Sequence, residues 1–130
     1  MSMMSEARTI LSQMIVDLLR SSHQVYFPDL KFMPAVEATI IVCVVFLQQV
    51  AGEPYTEAEL RTCLQMSKGT MERRIAWLRR NGIIIKRRRR IMVDVAVISA
   101  AHSMKNALTA RDIVIAAGVA LAQMPVPPLL

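Results

Sequence analysis

The chain has 130 residues, 54% apolar and 20% charged, with only four glycines and six prolines; that is the length of one ordinary domain with material for a packed core, and it excludes a multidomain enzyme and a disordered polymer. The formal net charge of +6 is unevenly placed, because Arg61 to Arg90 hold eleven bases against one acid, Glu72, while the rest of the chain is net acidic at −4. One part of the molecule is therefore expected to face a polyanion. Cys43 and Cys63 make neither a C-x-x-C pair nor a disulfide framework, and no signal-peptide pattern opens the chain, which points to a reducing, cytoplasmic setting.

In chain order, Met4, Leu11, Met14, Ile15, Leu18 and Leu19 repeat at helical spacing and predict an amphipathic helix over 3–22. Two prolines and Asp29 interrupt helix between Tyr26 and Pro34, and Ala35 to Ala51 is apolar nearly all round and ends at Gly52, which predicts the most buried helix, with Cys43 as inert packing inside it. The longest uncharged apolar runs, Ala38–Leu47 and Ile113–Ala122, are about half of the roughly 20 residues that span a bilayer. They are expected to be buried helices, with no membrane partner. Thr56-Glu57-Ala58-Glu59 has the form of a capping box and predicts a short helix over 57–65. A second helix follows at once, with Ser67 as its N-cap and Asn81-Gly82 as its stop.

Past Gly82 the period changes. Ile83 to Ile85 and Ile91 to Ile98 are rich in β-branched residues, Val93, Val95 and Val97 alternate with Met92, Asp94 and Ala96, and Lys86 to Arg90 lie between the runs. The pattern predicts a β-hairpin with a basic tip, whose turn lacks Asn-Gly chemistry and leaves room for a longer loop. A last helix over 105–123 precedes a Pro-rich tail. The expected fold is one domain over 1–130, mainly α with a small β-hairpin, comprising an N-terminal helix (3–22), a core (35–98) and a C-terminal helix (105–123).

Helix, helix–turn–helix and hairpin is the order of a winged helix–turn–helix, and the helix after Ser67 has the pattern of a recognition helix. Met71, Ile75 and Leu78 make the stripe to be buried, while Gly69, Arg73, Ala76 and Arg80 fall on the opposite side at roughly 100° per residue. Small residues alternating with arginines suit a face that enters a groove. Lys68, Gly69, Thr70, Glu72 and Arg73 are the candidates for base contacts, with Glu72 as an acceptor for a cytosine amino group. Arg61, Arg79 and Arg80 are the candidates for phosphates, and Arg87, Arg88, Arg89 and Arg90 for the wing, along the backbone or in a minor groove.

The stretch TEAELRTCLQMSKGTMERRIAWLRRNGIIIKRRRRIMVDVAV, Thr56 to Val97, resembles the DNA-binding core of the MarR family of bacterial transcription regulators. That family's recognition helix reads like S-x-x-T-V-x-R, then a leucine and a closing glycine, positions held here by Ser67, Thr70, Met71, Arg73, Leu78 and Gly82. The resemblance implies dimerisation through the N- and C-terminal helices and leaves room for an unidentified small-molecule effector. It departs from the family at the wing, where a run of arginines replaces the usual acidic-x-Arg signature.

Independently of the resemblance, Ile113 to Ala122 carries no charge and is more apolar surface than a terminal helix of a small monomer leaves wet, so it is expected to be a dimer interface; the alternative is that it folds back on its own core. Trp77 is expected to pack on the flank of the recognition helix. His23 and His102 lack neighbours at metal-ligand spacing, and no nucleophile–base pair or phosphate-cradling glycine loop occurs, so neither a metal, nor a cofactor, nor catalysis is expected. Cys63 lies near Arg61 in the sequence; a redox sensor is not expected. The expected function is sequence-specific binding of double-stranded DNA by a homodimeric transcriptional repressor. The alternative is an interaction module whose basic face takes RNA or an acidic protein partner, although Trp77 is the one aromatic residue in the basic segment for stacking on bases.

Overall fold

Caps and breakers set the element boundaries of the computed structural model, which describes residues 2–98 and 100–125, the side chains of residues 98 and 101–103 excepted. Ser2 accepts from the Ser5 amide and opens helix α1, Met3–Tyr26. This helix runs past Ser22 because that residue is buried within it, its hydroxyl 2.9 Å from Thr39 Oγ1 of the next helix; Pro28, just beyond the cap Phe27, is what stops it. Helix α2, Phe32–Val50, starts before Pro34, and proline is harmless there because the first helical turn has no use for its missing N–H. Helix α3, Glu57–Leu64, carries the expected capping box, and helix α4, Lys68–Arg80, the expected Ser67 cap.

Strands β1, Ile84–Arg87, and β2, Arg90–Val93, form a two-stranded antiparallel sheet in which Ile84 faces Val93 and Lys86 faces Ile91. The second strand is shorter than the valine alternation predicts. Asp94 ends it: its carboxylate accepts from the Ala96 amide at 3.0 Å and its carbonyl from the Val97 amide at 3.0 Å, a local turn that competes with the ladder. Val95–Ile98 is accordingly a helical turn, α5, and not strand. Helix α6, Ala101–Ala122, then begins ahead of the expected Lys105. Residues 126–130 of the Pro-rich tail and the His102 side chain, named above, lie outside the described residues.

The core is one cluster. Helix α2 contributes Ala35, Ala38, Ile41 and Val45, α3 contributes Leu60, α4 contributes Met71, Ile75 and Leu78, and the hairpin closes it with Ile84, Ile91 and Val93. Burial of α2 is one-sided, contrary to its near-uniform apolar sequence: Ile40, Leu47 and Val50 are 41%, 63% and 70% exposed, since the small fold has only enough partners to cover one stripe. By length and composition these 19 residues are long and apolar enough to cross a membrane; here the helix also carries Glu37, paired with Arg74 of α4 at 3.3 Å.

Helices α1 and α6 form an added layer. They run antiparallel, with Ser21 of α1 donating to Asn106 Oδ1 of α6 at 2.9 Å while Thr9 and Ile10 lie beside Ala120 at the other end. The C-terminal helix thus does fold back on its own chain, yet Ala117 is its one buried residue among those described. The one-sided burial of α2 gives a direct check: Ile41→Ala is expected to cost about 2–5 kcal/mol in chemical denaturation and Leu47→Ala less than about 0.5 kcal/mol. Equal losses would mean that both faces are covered.

Candidate nucleic-acid interface

Helix α4 is oriented by its apolar stripe. With Met71, Ile75 and Leu78 sealed in the core, Gly69, Arg73, Ala76 and Arg80 are all exposed, as the angular pattern predicts. The Ser67 hydroxyl accepts from the Thr70 amide at 3.2 Å and donates to Thr70 Oγ1 at 2.9 Å, and Arg73 Nη2 donates to the same Oγ1 at 3.3 Å. The N-terminal turn is therefore ordered and carries free N–H groups that favour an anion. At the other end Gly82 takes φ +71°, a left-handed position that ends the helix at little cost for glycine alone.

The structure sorts the bases of the segment into groups. Arg74, not among the predicted contacts, is a structural tie: its Nε and Nη2 both lie 3.3 Å from Glu37 Oε1 in a partly buried pair that joins α4 to α2. Arg61 is half-buried on α3, and its Nε is buried with no hydrogen-bond partner. Lys68 reaches Glu72 at 4.0 Å with both side chains more than half exposed, a contact worth little in water. Arg73, Arg79, Arg80, Lys86, Arg87, Arg88 and Arg89 are exposed and pair with no carboxylate among the described residues. Arg90 differs from its neighbours: it turns back, donating to the Pro54 carbonyl at 2.7 Å and lying 3.5 Å from Glu59.

The hairpin tip is tight where a longer loop was open. Arg87 pairs with Arg90, so Arg88 and Arg89 alone make the turn, at φ +51° and +68°. Both central residues of a type I′ turn need positive φ, which asparagine and glycine accept readily and arginine does not. The chain thus holds two arginines in a disfavoured backbone to present them at the tip.

Trp77 is half-buried and meets Phe27 edge to face, ring centroids 5.7 Å apart, so it packs on the flank. Cys63 is exposed. Cys43 is exposed as well, contrary to the expected burial, because it sits on the uncovered side of α2 beside a cleft of about 400 Å³ between α1, α2, α6 and the hairpin. Partial desolvation there pushes its thiol pKa up, away from reactivity. What sequence reasoning missed is Glu59. The capping box was legible, but not that its carboxylate meets an arginine far along the chain. Its pKa is lowered, first by the Thr56 amide, then by the Thr56 hydroxyl, with Arg90 adding a smaller pull.

No family model, curated protein or solved structure matches the chain, so the chemistry of the surface itself carries the functional reading. The turn provides a test of the strain: replacing Arg88 with Asn and Arg89 with Gly together is expected to raise stability by about 1–2 kcal/mol in urea denaturation, through relief of left-handed strain. A loss of stability would show that the arginines favour the turn.

Proposed function

We propose that the chain is a winged helix–turn–helix protein of the MarR-like kind that binds duplex DNA as a homodimer and regulates transcription. The observation that carries this reading is the exposed line Gly69, Arg73, Ala76 and Arg80 on α4, directly opposite the buried stripe. Gly69 and Ala76 let the helix approach a groove closely, and Arg73 and Arg80 donate to guanine edges or phosphates. Support comes also from element order, with a chain segment at Thr56 bridging to β2 ahead of the helix pair, and from unneutralised arginines on helix and hairpin. Lys68, Thr70 and Glu72 stand beside these residues on α4, Arg79 lies on the same helix and Arg61 on α3 as candidates for phosphates, and Arg87, Arg88 and Arg89 belong to the wing.

Base and phosphate contacts separate by experiment. Arg73→Ala is expected to cost about 1–3 kcal/mol on the preferred duplex and to flatten sequence preference, whereas Arg87→Ala or Arg88→Ala weakens binding to every duplex and lowers the salt slope by about one each. Equal, sequence-independent losses from all three would refute this division of roles.

The dimer reading rests on apolar surface left open on α1 and α6. Leu11, Ile15, Val114, Ile115 and Val119 are all exposed. A two-fold pairing there covers this surface and presents two α4 helices to successive turns of a duplex, about 34 Å apart. Sedimentation is expected to show a dimer that Val119→Lys converts to monomer. A folded variant of unchanged mass would place the interface elsewhere.

A further inference from the structure

Arg90 opens β2 beside the turn, at the end of the hairpin away from its buried Ile84–Val93 base, and ties that end to the chain ahead of α3. Its backbone pairs with Thr56 in an isolated antiparallel bridge, and the next amide, Ile91 N–H, donates to the Tyr55 carbonyl at 2.8 Å. Its guanidinium Nη1 donates to the Pro54 carbonyl at 2.7 Å and lies 3.5 Å from Glu59 Oε1. That same carboxylate oxygen accepts from the Thr56 amide at 3.2 Å and the Thr56 hydroxyl at 3.0 Å, while the Glu59 amide donates to Thr56 Oγ1 at 3.2 Å. One oxygen thus joins the N-terminus of α3 to the tip end of the hairpin, at the residue pair that closes the turn.

From this we infer that Arg90 is a positioning residue and not a phosphate contact. Glu59 and the Pro54 carbonyl hold it so that the hairpin keeps a fixed angle to α3 and α4, and Glu59, although acidic, strengthens the binding of duplex DNA. The inference rests on the duplex-binding reading above. A two-stranded hairpin has little stability of its own, and this one carries Lys86 and Arg87 to Arg89 beside Arg90 at its tip end, a cluster of like charges that would swing about the buried Ile84–Val93 base without the tie. A hairpin free to swing gives up that freedom on binding, whereas one anchored beforehand does not. The anchoring contacts are exposed and singly weak; they converge with a charge-assisted hydrogen bond and a backbone bridge on a single residue.

The two accounts of Glu59 predict opposite signs. Plain electrostatics has the carboxylate repel phosphate, so that Glu59→Gln binds DNA more tightly. Anchoring has the same variant bind about two- to fivefold more weakly, although glutamine still completes the capping box and keeps α3 intact. Arg90→Ala is expected to bind about three- to tenfold more weakly with the salt slope retained, and adding Glu59→Gln to it should cost nothing further. In the free protein, hydrogen exchange of the Ile91 amide should quicken in both variants while core amides of α4 stay protected.

Tighter binding by Glu59→Gln, a slope reduced by about one in Arg90→Ala, or unmoved Ile91 exchange would each overturn the inference. Because exchange is read without DNA, the two failures are distinct. A wild-type chain that binds no duplex refutes the duplex-binding reading and the contribution of Glu59 to it, while Ile91 exchange still decides whether Arg90 anchors the hairpin.

Discussion

Everything the basic surface can do depends on how α4 is seated. Met71, Ile75 and Leu78 are sealed against α2 and the hairpin, and a helix with one buried stripe has no freedom to choose which residues it shows to water. Burial of three such side chains contributes several kcal/mol, far more than rotation of the helix gains from exposed arginines. The Arg74–Glu37 pair reinforces the same orientation from the flank. Gly69, Arg73, Ala76 and Arg80 are outside because the stripe is inside.

Segregated charge is the second constraint. A net of +10 between Arg61 and Arg90 is self-repelling, and the fold neutralises only part of it, spending Glu37 on Arg74 and Glu59 on Arg90. Each of these acids belongs to an element outside α4 and the hairpin, so the pairs act as ties between elements. The arginines left unpaired on α4 and at the tip have no such duty, and the strained turn at Arg88 and Arg89 has no packing role to explain it. The proposed binding of a polyanion would account for both, since backbone strain and unneutralised charge are characteristic of functional surfaces.

Much of this was legible in the sequence because it is local. The Thr56–Glu59 capping box, the Ser67 cap, the Gly82 stop and the buried stripe of α4 are each written within a few residues. What was not legible depends on contacts distant in sequence or on how many neighbours a small fold supplies. Near-uniform apolarity cannot say which side of α2 is covered, and so misplaced Cys43 and predicted more burial than exists. Alternating valines overran the strand because the Asp94 turn is invisible to a period-two pattern. A run of five bases, Lys86 to Arg90, looks uniform, although Arg90 is tied back to Pro54 and Glu59 while Arg88 and Arg89 form the turn beside it. The proposed winged helix, dimer and DNA contact all extend from these local features.

The uncovered apolar surfaces on α1, α2 and α6 are the counterpart of the basic surface. Unpaired charge is concentrated on α4 and the hairpin, and exposed hydrocarbon lies on α1, α2 and α6. The central claim is that the charged surface is made for duplex DNA. Its most direct test is fluorescence anisotropy of the whole chain with random duplex DNA, single-stranded RNA and anionic liposomes between about 50 and 200 mM salt. Duplex binding that falls steeply as salt rises is the expected result, and binding to RNA or liposomes but not to duplex would contradict it.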